Sequence, residues 1–303
     1  TNTPGEFYKY AERYLRQNNV LRKESVSHKL LSCEITPYGE ADKTKAFAVK
    51  FNAKTSASNI RLTDDGRLVA LNAEPTPDPI FTNFIPSPKS QPINPRDFMG
   101  EEILAAGSTA KMAELTAREI YDIRESKNAL NRGEADFMPK DGEQLRIMLN
   151  NLNAQDRILS SMFCGTSTKD TTEVVFTFCP EKEVERQVIF RLSQQFGIVD
   201  ADDLSGTPYY INVKDLKTVP ENAPDEGKKK KEREDGIYVN VPSKIAVTVF
   251  DGINPIVTKE FQAGQFGHTE LLSGELFNKR YTTRLKLNPT TGGVEKLDAE
   301  MPN

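Results

Sequence analysis

The chain has 303 residues, 37% of them hydrophobic and 28% charged, and 40 basic against 44 acidic residues leave a net charge of -4. That length suits two domains on the usual scale. The acidic balance argues against nucleic-acid and polybasic membrane-surface classes, and no run approaches the ~18 apolar residues of a membrane-crossing helix.

The sequence opens "TNTPGEFYKY", with no Met, basic n-region or apolar h-region. Thr1 is therefore read as a boundary, with any export signal upstream of it. Residues 4–15 predict a short amphipathic helix. Pro4 suits its first turn, and Phe7, Tyr10, Ala11 and Tyr14 recur at helical spacing along one face. Between residues 26 and 73 the pattern changes to strands. "SHKLLSCEITPYG" alternates over much of its length. "KAFAVKFNAK" sets Phe47, Val49 and Phe51 against Lys50 and Asn52. "IRLTDDGRLVALN" predicts a hairpin turning at Asp64-Asp65-Gly66, where Gly is free to take positive φ. Residues 74–95 then carry seven prolines, which marks a linker or surface loop.

Residues 97–164 predict helices. Ile103, Ala106, Ala110, Ala113, Ala117 and Ile120 form one apolar stripe, interrupted at Gly107 and resumed with Ser108 as a cap. Gly133 is a natural stop. Asp141, with Gln144 three residues on, starts the next helix. That helix buries Leu145, Met148, Leu149, Leu152, Leu159, Met162 and Phe163 and ends at Gly165. Two long helices joined by "GEADFMPKD" read as a helical hairpin. From residue 171 to 298, six segments rich in β-branched and aromatic residues alternate with turn signals, as in an antiparallel β-sandwich.

Candidate chemistry is sparse. The chain has two histidines, His28 and His268, and three cysteines, Cys33, Cys164 and Cys179. These provide little material for a zinc site or a catalytic triad, and no cofactor or metal is expected. Cys164 and Cys179 either bridge or remain, with Cys33, buried thiols. Trp, the best platform for sugar stacking, is absent. Around "EGKKKKERED", the stretch Asp225 to Asp235 holds five acids and five bases, so it reads as a solvated loop. "DADDLSG" lacks the spacing of a calcium loop and reads as a turn. Phosphate-loop and nucleophile-elbow patterns do not occur.

The densest charge cluster is "REIYDIRESK", Arg118 to Lys127. Helical spacing places Glu114, Arg118 and Asp122 in one row, and Glu119, Asp122 and Ser126 in another, a lattice typical of a solvated face. Arg124 departs from this pattern. It lies four residues beyond Ile120, on the line of the apolar stripe, so its guanidinium is expected to clamp a buried carboxylate or a neighbouring domain. Glu119 and Asp122 are the acids available to a carboxylate-based, glycosidase-like hydrolase, which needs two carboxyls across a cleft. Tyr209 and Tyr210 are the aromatic pair available to an exposed binding patch.

"GSTAKMAELTAREIYDIRESKNAL", "MPKDGEQLRIMLNNL" and "MFCGTSTKD" resemble a Bacteroidetes family of uncharacterised proteins catalogued as a domain of unknown function. "LTDDGRLVALN", "VDADDLSGTPYYI", "VPSKIAVTVFDG" and "LKLNPTTGGVEKLD" extend the resemblance, in order, over nearly the whole chain. It implies an exported protein, periplasmic or associated with the outer membrane, with a lipid anchor upstream of Thr1. It implies no activity and transfers no catalytic residue.

The expected architecture is α+β. It comprises an N-terminal helix and β domain with its Pro-rich linker (1–96), a helical hairpin (97–165) and a C-terminal β-sandwich (166–303). The expected function is a non-catalytic envelope module that binds a protein or a glycan, with the hydrolase as the alternative. Arg118, Glu119, Asp122, Arg124, Tyr209 and Tyr210 are its candidate contact or clamp residues.

Overall fold

The computed structural model describes residues 1–49, 59–89, 91, 93–220 and 236–300. The fold is α+β with antiparallel sheets, as the sequence predicts. Its elements gather into two compact units, Thr1–Ser27 with Phe84–Glu173, and His28–Asn83 with Val174–Asn303. These bounds differ from the three consecutive segments expected, because each unit draws on two separate stretches of chain. The lysine-rich stretch at 226–235, and Lys50, Phe51 and Asn52 of the second expected strand, lie outside the described residues.

The first unit is helical. A minimal ribbon pairs β1 (Asn2–Thr3) with β4 (Thr166–Ser167). The aromatic N-terminal segment forms a tight 3₁₀ turn, Tyr8–Tyr10, followed by a wider π turn, Ala11–Leu15, in place of one regular α-helix. Its buried face is Phe7, Ala11 and Leu15, while Tyr10 and Tyr14 stay partly buried. Phe7 packs on Phe163 with ring centroids 5.4 Å apart. A short α1 (Glu101–Leu104) precedes the break at Gly107. The long helices are α2 (Thr109–Arg132) and α3 (Gly142–Cys164). Their ends are set locally. The Ser108 hydroxyl accepts from the Lys111 N–H at 3.2 Å and the Asp141 carboxylate from the Gln144 N–H at 2.8 Å. Gly133, at φ 73°, closes α2. Ile103, Ala113, Ala117 and Ile120 are buried as the stripe predicts, and Ile123 continues it where Arg124 does not. In α3 only the second half is buried, through Ile158, Leu159, Met162 and Phe163. Leu145, Met148, Leu149 and Leu152 are half-exposed.

The second unit contains two sheets. β2 (Ile60–Leu62) and β3 (Leu68–Leu71) form the predicted hairpin, with Gly66 at φ 88° in its turn. β3 then pairs with β10 (Thr282–Leu287), which pairs with β11 (Val294–Glu300), giving one four-stranded sheet. The N-terminal strands therefore share a sheet with the C-terminal ones and do not close a domain of their own. The remaining strands are β5 (Val184–Ser193), β6 (Gly197–Val199), β7 (Thr207–Asp215), β8 (Gly236–Phe250) and β9 (Pro255–Ser273), in sheet order β6-β5-β7-β8-β9.

β8 and β9 are long enough to serve both sheets. Their register jumps between Val241–His268 and Ser243–Ala263, around Pro242, which has no N–H to contribute to a ladder. Before the jump, Ile237 and Val239 pack with Leu71, Leu285, Leu287 and Phe277 of the four-stranded sheet and its approach. After it, Ile245, Val247 and Val249 pack with Ile211, Val213 and Ala263.

Two stretches with strand-like sequence join none of the sheets. "SHKLLSCEITPYG" and "TEVVFTFCP" contribute no ladder hydrogen bonds among the described residues. They instead lay Cys33, Ile35 and Phe178 over the second core. Alternation reports burial on one side, and a covering strap satisfies it as well as a strand does.

Candidate functional site

The charge-rich helix resolves into two arrangements. On α2, Arg118 Nη2 donates to Glu114 at 2.5 Å in an i, i+4 pair that is largely exposed. Glu119 and Asp122 are exposed on the same helix. Arg124 reaches Asp156 of α3, with Nε 3.2 Å from both carboxylate oxygens and Nη2 3.1 Å from one of them. Lys127 Nζ donates to the same carboxylate at 2.8 Å, and the Ser160 hydroxyl at 2.9 Å. Burial pushes the Asp156 carboxyl up, but hydrogen bonds from Arg124, Lys127 and Ser160 outweigh it and hold the group below the ordinary carboxylate value. This cluster is fully satisfied and joins two helices of one unit. It presents no open coordination or reaction position.

The cysteines are three free thiols. Cys33 and Cys164 are partly buried, and Cys179 is exposed, contrary to the buried thiol expected there. Burial raises the Cys164 thiol, a nearby Arg124 charge only partly offsetting it, and its Sγ donates to Gln17. Such a thiol is a poor nucleophile. No group of three His, Cys, Asp or Glu side chains is arranged to hold a metal ion among the described residues.

An open cleft of about 370 Å³ lies in the second unit, lined by Glu185, Arg186, Asn212, Thr248, Phe250, Gly252, Ile253 and Pro255. Strand alternation builds it. Tyr209, Ile211 and Val213 share one face of β7, so Tyr210 and Asn212 share the other. Opposite them, Phe250 pairs with Tyr210 and Thr248 with Asn212. The two predicted tyrosines are thus separated. Tyr209 joins a stack with Phe190 and Phe176 on the core side, with centroid spacings of 4.8 and 5.4 Å. Burial, then the Asp251 charge, pushes its phenol above the ordinary value. Tyr210 stacks on Phe250 at 5.4 Å beside the cleft.

Arg186 is the unforeseen member. β5 is irregular between Val184 and Gln187, and Arg186 occupies the bulge at φ 55°, a region costly for a residue with a Cβ. Its N–H donates to Asn212 Oδ1 at 2.7 Å, and its Nη1 donates to the Gly252 carbonyl at 3.3 Å. The guanidinium carbon lies 4.7 Å from the Tyr210 ring centroid and 5.8 Å from that of Phe250. A cation over two ring faces is an attractive arrangement.

The β8–β9 turn forms the rim. Asp251 accepts from the Ile253 and Asn254 N–H groups at 2.9 and 2.7 Å. Those backbone bonds, Asn254 foremost, hold its carboxyl below the ordinary value. The turn projects Ile253, 89% exposed, with the adjacent Ile256 at 37%. No sequence pattern announces this site. Its residues come from four strands, and a left-handed arginine carries no local code.

Fold and cleft together define a mixed α+β protein with a surface site on an antiparallel sheet, lined by Arg186, Glu185 and an aromatic ring. The chain belongs to the family described as Domain of unknown function (DUF4831), whose model matches residues 1–295. No curated protein and no solved structure matches it.

Proposed function

We propose that this protein is a non-catalytic module of the cell envelope that docks another protein through the cleft face of its five-stranded sheet. The observation that carries this reading is the Arg186–Tyr210–Phe250 stack beside the exposed Ile253. Arginine and tyrosine anchors next to an apolar residue are the composition that concentrates binding energy at protein interfaces. The shallow opening suits a surface contact better than an enclosed small molecule. An exported, envelope-associated location, with an anchor upstream of Thr1, is part of the same proposal and rests on the family resemblance.

The hydrolase alternative has less support. It asks for two carboxyls across a concave site. Glu119 and Asp122 instead stand exposed on α2, and among the described residues Glu185 is the one carboxylate lining the cleft.

The test is capture from the envelope fraction by wild type and by Ile253→Asp, each verified as folded, with bound proteins quantified by mass spectrometry. A specific partner retained by wild type and lost by the variant is the expected result. Equal capture by both sinks the proposed docking face.

A further inference from the structure

Resting on that docking reading, we infer that the cleft receives a carboxylate from an acidic peptide segment of the partner, with Arg186 as its fork.

Arg96, Arg118, Arg124, Arg132 and Arg146 each hold an Asp or Glu of this chain, whereas Arg191, like Arg186, donates to backbone carbonyls. Arg186 holds none among the described residues, although Glu185 precedes it. Its hydrogen bonds are to a side-chain amide, through the backbone N–H, and to the Gly252 carbonyl, through Nη1. A guanidinium has five N–H donors in a rigid plane. One amino group is occupied at 3.3 Å, which leaves the remaining donors for an acceptor from outside.

The scaffold around this cation is built, not incidental. The Tyr210 and Phe250 rings lie 4.7 and 5.8 Å from the guanidinium carbon and reduce its hydration. The backbone pays for the position, because a left-handed non-glycine residue is unfavourable and persists only where its surroundings enforce it. Gly252, at φ 105°, brings the carbonyl anchor close, and a Cβ there would sit 3.4 Å from the Tyr210 ring. The Asn212 carbonyl oxygen is used by the Arg186 N–H, so its amide end presents donors to the same opening. Arg186 and Asn212 thus offer N–H groups that can hold an acidic acceptor, although Glu185 lines the same cleft and Asp251 stands on its rim, so the acceptor must reach the guanidinium fork itself. A planar carboxylate fits the guanidinium fork in two-point contact. The rim adds Ile253 and Pro255, apolar groups that suit the side chains flanking an acidic residue in a peptide.

The test is a titration of the ¹⁵N-labelled full chain, followed by NMR. The probes are tri-glutamate peptide with blocked termini, the matching tri-glutamine peptide, and glucuronate, at equal ionic strength. The expected result is saturable shifts of Arg186 Nε–H and of the Asn212 and Gly252 amides with tri-glutamate, at least fivefold weaker with tri-glutamine. Arg186→Gln removes them and Arg186→Lys weakens them, while signals remote from the cleft report that both variants are folded. Absence of cleft shifts, equal response to tri-glutamine, or persistence in Arg186→Gln overturns the inference. Binding of glucuronate without tri-glutamate overturns the peptide assignment. Partner capture separates the two levels. Loss on Ile253→Asp with retention on Arg186→Gln leaves the docking face standing and removes the carboxylate, whereas indifference to Ile253→Asp removes the docking face itself.

Discussion

Replacing Asp156 with Asn removes one negative charge from between two helices and leaves the volume almost unchanged. Arg124 and Lys127 both direct donors at this carboxylate, and the side chains are 33%, 19% and 14% exposed for Arg124, Lys127 and Asp156. A buried hydrogen bond to a charged group contributes about 1.5–3 kcal/mol, and an exposed ion pair about 0.2–1 kcal/mol. The intermediate exposure places each cation near 1 kcal/mol, so Asp156→Asn should cost about 2 kcal/mol. Asn keeps an oxygen for the Ser160 hydroxyl, and that contact should survive. Urea unfolding followed by far-ultraviolet circular dichroism reads the loss, because the long helices dominate that signal. A double-mutant cycle with Arg124→Met isolates the pair. The folded carboxyl sits below its ordinary value, so the clamp is fully present above the unfolded value near ~3.9 and is lost as pH falls through the lower folded value. Wild type should lose its advantage over Asp156→Asn in that acid window. A coupling below about 0.3 kcal/mol, or a difference that does not depend on pH there, would refute the clamp.

Other expectations follow from single contacts. Arg186→Gly should be at least as stable as wild type in thermal unfolding, since glycine relieves the left-handed backbone at the bulge while forfeiting the contact with Tyr210 and Phe250; a drop of more than about 1 kcal/mol would show that the stack outweighs the strain. Phe7→Ala should cost about 3–5 kcal/mol in denaturant unfolding, because Phe7 is fully buried against Phe163. Gly5→Ala should also destabilise the helical unit, as its Cβ would sit 2.2 Å from the Met162 carbonyl oxygen; an unchanged midpoint would mean that the N-terminal segment yields easily. Ser108→Ala should cost about 1 kcal/mol through the lost cap to Lys111, and Ser108→Asp should restore most of it.

What the sequence disclosed and what it concealed divide by the range of the interaction. Ser108, Asp141, Gly133 and Gly66 act within a few residues of themselves, and each helix end or turn they predict is found. Arg124 is conspicuous in the sequence because it interrupts a helical stripe; in the structure Ile123 is buried and Arg124 donates to Asp156. Strand partners were not legible. Nothing near Leu68–Leu71 signals pairing with Thr282–Leu287, and nothing in "SHKLLSCEITPYG" distinguishes a strap from a strand. The site suffered most. Adjacent tyrosines on one strand must point to opposite faces, so one of the predicted pair had to be lost to the core side. Arg186 became significant only when a bulge, a turn glycine and two rings from other strands converged on it.

The four-stranded sheet has a consequence for synthesis on the ribosome. Asn72, beside β3, donates to the Thr283 carbonyl, 211 residues further along the chain. The helical unit has all its residues once Glu173 has been made. β3 must instead wait, unpaired on the β10 side, until Thr282–Leu287 has emerged. Pairings so distant in sequence are slow to close and expose strand edges in the interval. Chaperone capture before β10 emerges would therefore meet a nascent chain with the helical unit fully synthesised and one open sheet.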